Sequence, residues 1–179
     1  MFLNKFVGCI RFNFHARINR NITFNGCKQY LGRFARLITS NNGKIMLGNK
    51  TYLSERSSLG AHNEGVLEIG NNNFFNSNVN IICYKNIRIG DNNLFAQNVV
   101  VVDQNHRFEN CQELICRQGF KCKKVTIGSD CWICANVVIC PGAEIPDHCV
   151  IAANSVVTCK LFERGVYAGS PARLIRKLK

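Results

Sequence analysis

Six-residue steps run through the second half of the chain. Starting at Ile127, positions Ile133, Ile139, Ile145, Ile151 and Val157 are aliphatic in one unbroken register. Four places after each comes Cys131, Val137, Ala143, Cys149, Ser155 or Leu161, and all but the last are small or slim. Neither a 3.6-residue helix nor a two-residue alternation generates this pattern. A solenoid does. Each hexad supplies a short strand and a corner, the aliphatic side chain pointing inward and the small one fitting the crowded corner. Three hexads close a triangular coil, and coils stack about 4.8 Å apart. One coil cannot bury its own core, so stacked neighbours must supply the stability.

The upstream half keeps this register with interruptions. Leu47, Leu53 and Leu59 step by six; so do Ile69, Phe75 and Ile81 after an offset of four, and Ile89, Phe95 and Val101 after an offset of two. The offsets read as small corner extrusions. Gly48, Gly60, Gly70, Gly90 and Gly128 follow aliphatic positions, where lack of a side chain suits a tight corner. Asn71, Asn72, Asn73, Asn92 and Asn93 cluster where left-handed backbone angles are expected. Between Val102 and Val125 the register is lost, in the polar, Cys-rich segment DQNHRFENCQELICRQGFKCKK. A loop that long in a compact domain is usually functional. Before Lys44, alternation at Phe12, Phe14, Ala16 and Ile18, and at Ile22 and Phe24, argues for strands in irregular first coils. Phe2, Leu3, Phe6, Val7 and Ile10 lie at helical spacing, which predicts a short cap and leaves peripheral membrane association open. The expected division is a cap with irregular first coils over 1–43, the solenoid over 44–170 with loop 103–124 inserted, and a capping helix over 171–179 that starts at Pro171.

Composition fits one globular domain: 179 residues, 46% hydrophobic and 19% charged. No apolar run approaches the ~18–20 residues that span a bilayer. The N-terminus MFLNKFVGCIRF lacks a long apolar stretch and a small-residue cleavage site, so a cytoplasmic location is expected. The formal net charge of +12 suits anionic ligands. No nucleic-acid-binding signature accompanies it, so nucleic acid is not expected as a partner. With no export signal, the 11 cysteines read as reduced thiols. Cys131-x-x-Cys134 has no second ligand pair at zinc spacing, so no metal site is expected. Cys131 and Cys149 stand one coil apart and read as small core fillers.

Three ordered stretches between Leu47 and Arg176 carry a resemblance. IRIGDNNLFAQNVVVVDQNH (87–106) is similar to the coil that leads into the catalytic loop of galactoside, maltose and polysaccharide O-acetyltransferases. VTIGSDCWICANVVICPGAEIPDHCVIAANSVVT (125–158) resembles the core hexads of the same superfamily, including a D-x-W-I tryptophan. YAGSPARLIRKL (167–178) looks like its terminal element. The chain thus resembles the hexapeptide-repeat acyltransferases. The resemblance implies a left-handed parallel β-helix, a hand that periodicity alone does not give, since parallel crossovers are usually right-handed. It also implies acetyl-coenzyme A as co-substrate and a homotrimer with sites between subunits.

Acetyl transfer to a hydroxyl needs a base, and a neutral imidazole suits that task. By the resemblance His106 is that base, in direct transfer, with Asp103 a candidate to orient it. Asn76 and His62 match or lie near acceptor contacts. Tyr84 stands where galactoside enzymes carry an acidic sugar contact, which argues against simple galactosides. The main-chain N–H of Ala135 matches an oxyanion donor. Trp132 matches a wall of the pantetheine site, and Ala153 a backbone contact to it. Thr158, Arg173 and Arg176 match positions near the nucleotide phosphates. The usual Thr-Lys-Asp is here Thr158-Cys159-Lys160, which shifts the lysine. Two of the family's glycines are Cys134 and Ala152. His148, at a hexad corner, is expected only to be solvated. The function implied is O-acetylation of a saccharide or glycolipid acceptor in surface-polysaccharide synthesis. N-acetylation of a nucleotide-linked amino sugar, acetylation of an antibiotic and a non-catalytic repeat scaffold are the alternatives.

Overall fold

The computed structural model describes residues 19–26 and 28–178. The helix expected over Phe2–Ile10 and the strands expected over Phe12–Ile18 lie outside the described residues. The remainder is a parallel β-solenoid with three faces. The first sheet stacks Ile22–Phe24, Lys44–Leu47, Val66–Ile69, Asn86–Ile89, Val125–Ile127 and Glu144–Ile145. The second begins with Tyr30–Leu31, Tyr52–Leu53, Phe74–Phe75, Leu94–Phe95, Trp132–Ile133 and Val150–Ile151. The third runs Arg36–Thr39, Ser58–Ala61, Asn80–Cys83, Val100–Val102, Val138–Ile139 and Val156–Val157.

The inward positions read from the hexads form the core. Every aliphatic or aromatic step from Leu47 to Val157 is at most 4% exposed, and the corner set from Cys131 to Leu161 is buried with them. Phe75 and Phe95 stack face to face at 4.7 Å between ring centres, worth about 1 kcal/mol beyond their buried area. Of the corner asparagines expected in the left-handed backbone region, Asn72 and Asn92 adopt it, and Asn71, Asn73 and Asn93 do not. Asn72 and Asn92 have φ of 56° and 61°, and Asn78, Asn98, Asn136 and Asn154 form a second file at 60–61°. The second file's side chains hydrogen-bond in sequence up the stack, amide to carbonyl, at 2.8–3.0 Å. Asn73 and Asn93 instead point inward and are buried. Gly48 is required by close stacking: a Cβ there would sit 2.5 Å from the carbonyl carbon of Gly70.

Stacked residues are 22 apart in the early coils, then 20, then 38 across the inserted loop, then 18. The offsets in the hexad register and the long loop all fall at one corner, where the chain passes from the third sheet to the first. The solenoid's extra residues therefore accumulate along a single edge.

Two boundaries differ from expectation. The first coil, Ile22 to Thr39, pairs in register with the next, so the solenoid starts about one coil upstream of residue 44. The expected helix over 171–179 is instead the strand Arg173–Lys177, which pairs antiparallel with Gly165–Ala168. The last coil presents a row of open backbone groups, and a returning strand satisfies them where a helix could not. Gly169, at φ 99°, turns the chain back.

Candidate active site

The inserted segment is an antiparallel hairpin. Gln104–His106 pairs with Phe120–Cys122, setting His106 directly opposite Phe120. A short 3-10 turn at Ile115–Arg117 caps the loop. None of residues 104–124 is buried. His106 is exposed, and its imidazole lies 4.5 Å from the Phe120 ring, tilted by 43°.

Stacking at the same corner brings two other expected residues alongside. Tyr84 packs 5.0 Å from Phe120, and His62 packs 5.3 Å from Tyr84. His62 Nδ1 lies 2.7 Å from Ser40 Oγ, one coil earlier. Gly60 leaves room for this imidazole: a Cβ there would come within 2.9 Å of His62 Nε2. His62, Tyr84 and His106 thus share one edge, joined through Phe120, a residue that sequence reasoning did not single out. Its only sequence signal is an aromatic in an otherwise polar return strand.

Asp103 does not orient His106. It is fully buried, and its carboxylate accepts the main-chain N–H groups of Tyr84, Lys85 and Asn86 at 2.7–2.8 Å. The physical reason lies in the loop. In the preceding coil, His62 and Val66 at the same corner donate their N–H groups to the carbonyls of Cys83 and Lys85 in the coil that follows. After Val102 the chain leaves the stack, so Tyr84 to Asn86 lose those partners. The Asp103 carboxylate replaces them, with charge-assisted bonds.

The remaining candidates lie elsewhere. Asn76, Ala135 and Ala153 occupy the corner between the second and third sheets. Asn76 Oδ1 caps the N–H of Ser77 at 2.7 Å, leaving its amide nitrogen to donate. The Ala135 carbonyl accepts from Asn154, while its N–H has no partner among the described residues. Trp132 stands on the outer face of the second sheet, 53% exposed. Thr158 is exposed at the end of the third sheet. Lys160 is paired with Glu144 at 2.7 Å, both side chains about half exposed. Such a pair contributes at most about 1 kcal/mol. Arg173 and Arg176 are exposed on the terminal strand. His148 is not merely solvated: its Nδ1 lies 2.6 Å from Asp130 Oδ2.

Within one chain, His106 and Ala135 are at opposite ends of the third sheet. The four residues Asn80–Cys83 alone span about 13 Å at ~3.3 Å per residue. The outer faces also differ. The second sheet carries a stacked file, Tyr30 on Tyr52 at 4.1 Å and Tyr52 on Phe74 at 5.1 Å, continued by Leu94 and Trp132. The third carries Arg36, Ser58 and Asn80 in its early coils beside Ile38, Ile82, Val100, Val102, Val138 and Val156. The first is polar, with Lys44, Glu68, Arg88 and Glu144, and an Arg88–Glu68 contact at 4.0 Å.

Among the described residues no group of His, Cys, Asp and Glu side chains could hold a metal, and no helix is long and apolar enough to cross a membrane. Burial pushes the Cys131 thiol up to about 12. Burial, and then the Asp103 charge, pushes the Cys83 thiol to about 12 as well.

Comparison with known proteins gives the following. The sequence family described as bacterial transferase hexapeptide (six repeats) matches residues 124–159. A galactoside O-acetyltransferase of Escherichia coli strain K12 is 46% identical over 54 residues, 30% of this chain and 27% of that protein. A protein of the same strain, named for lipopolysaccharide biosynthesis O-acetyl transfer, is 31% identical over 117 residues, 58% of this chain and 60% of that one. The chain thus spans less than two thirds of the curated relatives it matches. Among solved structures, a galactoside acetyltransferase in complex with coenzyme A superposes with a TM-score of 0.61 at 27% identity, over 92% of this chain and 70% of that one. The shared fold is the left-handed parallel β-helix, which supplies the hand that periodicity leaves open.

Proposed function

We propose that this chain, which belongs to the hexapeptide-repeat acyltransferase superfamily, transfers an acetyl group from acetyl-coenzyme A to a hydroxyl of a saccharide, with His106 as the general base. One observation carries the reading. From an otherwise closed coil, the largest insertion projects an exposed imidazole from its first strand, beside the rings of Phe120, Tyr84 and His62. In direct transfer, His106 takes the hydroxyl proton as the oxygen attacks the thioester carbonyl and delivers it to the leaving thiolate. The unpartnered N–H of Ala135 donates to the developing oxyanion. Trp132 walls the pantetheine arm, with the backbone at Ala153 beside it. Thr158, Lys160, Arg173 and Arg176 face the phosphates, Lys160 by leaving Glu144. Asn76 donates its amide to the acceptor, and Tyr84 and His62 present rings to it.

A base and an oxyanion donor on different corners must come from two copies. The reading therefore includes a homotrimer in which the aromatic second face and the aliphatic later coils of the third face are covered and the polar first face meets solvent. Surface-polysaccharide synthesis is the proposed setting, supported by the name of the lipopolysaccharide relative. The proposed location is the cytoplasm, where free thiols such as those described here persist.

The test measures thiol release from acetyl-coenzyme A over a panel of a galactoside, maltose, oligosialic acid, a nucleotide-linked amino sugar and chloramphenicol. The expected result is turnover with a saccharide hydroxyl, a fall of about 10²–10⁴-fold in His106→Ala, and unchanged donor binding. Full activity in His106→Ala would remove the base from the proposal. Turnover of the amino sugar alone would make the enzyme an N-acetyltransferase.

A further inference from the structure

We propose that Phe120 is the positioning residue for His106, holding the imidazole by ring packing where a carboxylate or carbonyl would ordinarily hold it by hydrogen bonding. The inference rests on the reading of His106 as the base and names what aims it.

An exposed histidine on a loop strand samples several rotamers, and a general base must keep its nitrogen within hydrogen-bond reach of the proton it removes. Something must restrict the ring. The nearby carboxylate, Asp103, has both oxygens committed to the corner of the coil below. Among the described residues, no hydrogen bond or ion pair reaches the His106 ring. What does reach it is Phe120, directly opposite in the hairpin register, at 4.5 Å.

Phe120 is itself fixed. Its carbonyl accepts Arg107 Nε at 3.2 Å, and the neighbouring Gly119 carbonyl accepts the Arg107 N–H at 2.9 Å. Its ring also packs at 5.0 Å on Tyr84, which stands on the solenoid corner and packs in turn on His62. The tilts along this file lie between 43° and 48°, the herringbone geometry that aromatic quadrupoles favour. The file ties a loop-borne imidazole to the rigid coil stack without using either ring nitrogen. Both nitrogens stay free for the proton.

The experiment compares Phe120→Leu and Phe120→Tyr in the full-length protein. Carbon-13-labelled histidine gives a ring CH resonance for His106, assigned by its loss in His106→Ala. In Phe120→Leu, which keeps bulk but removes the ring current, the His106 resonance moves and that of His148 stays. Phe120→Tyr restores the parent position. In turnover with the best acceptor of the panel above, Phe120→Leu lowers kcat by about 10–100-fold with little change in KM for acetyl-coenzyme A, as misplacement of a catalytic group does, and Phe120→Tyr recovers it. An unmoved His106 resonance in Phe120→Leu, or parent kcat in that variant, overturns the proposal. The resonance arm needs no turnover. A failure of His106 as base appears in His106→Ala activity, and a failure of Phe120 as its support appears as parent kcat in Phe120→Leu while His106→Ala is inactive.

Discussion

The coil stack and the hairpin inserted into it obey opposite rules. In the stack, inward side chains such as Leu59, Phe75, Ile81, Ile133 and Ile139 have no exposure at all, and backbone groups pair coil to coil. From 104 to 124 nothing is buried, and Phe108, Leu114 and Ile115 stand more than half exposed. The hairpin's hydrogen bonds are mostly its own, with Gln118 serving Asn110 and Glu113. The contrast teaches where stability resides and which segment carries the proposed base. Free energy of folding is concentrated in the stack, while the exposed imidazole sits on a segment free to vary without endangering it.

The largest effect that sharpens this contrast is in the core. Phe75→Ala removes a ring stacked on Phe95 and packed between coils, and is expected to cost about 3–5 kcal/mol. Ile115→Ser, at the loop cap, is expected to stay within about 0.5 kcal/mol. Urea unfolding of both variants checks the pair. A loop variant as damaging as the core variant would mean that the hairpin is part of the cooperative unit.

The next effect lies at the seam. Asp103 is the first residue of the loop by sequence, yet it belongs to the stack by burial. Asp103→Ala leaves three N–H groups without their acceptor and is expected to cost about 3 kcal/mol. It should also lower activity indirectly, because Tyr84 and the Phe120 file rest on that corner. Asp103→Asn retains one acceptor oxygen and should lose about half as much stability. If Asp103→Ala left the urea midpoint unchanged while abolishing turnover, Asp103 would be a catalytic partner after all.

How much of this was legible in sequence follows the same division. The six-residue register named the inward residues of the stack because each coil repeats one physical problem, an inward aliphatic and a narrow corner. Ile127 to Val157 solve it identically each time. The hairpin has no repeat to read, so only its insertion and its histidine were visible, and Phe120 was not. Asp103 was misread because a carboxylate three residues from a histidine suggests a pair. The demand it meets, three N–H groups orphaned one coil below, appears only once the chain is wound. The terminal strand was misread for a related reason: Pro171 is compatible with a helix start, and the open edge it must cover is a property of the stack.

The smallest effect separates the thiols of the two regions. Cys83 and Cys131 are buried in the stack and Cys111 and Cys116 are exposed in the loop. A thiol reagent at pH 8 should modify Cys111, Cys116 and Cys159 in the folded protein and reach Cys83, Cys131 and Cys149 only on unfolding. Mass spectrometry of the labelled peptides reads the outcome. The buried pair also gives stability a dependence on pH. Their folded-state thiols ionise near 12 against an ordinary 9.0, because burial disfavours the thiolate. Above pH 9 the unfolded chain releases protons that the folded chain keeps, so the unfolded state binds fewer protons and stability falls as pH rises from about 9 towards 12. Below pH 9 both states hold these protons, and the two groups contribute no slope. Cys83→Ala with Cys131→Ala should flatten the alkaline decline of the urea midpoint between pH 8 and 10. An alkaline decline unchanged in that double variant would show that these two buried thiols are not its source.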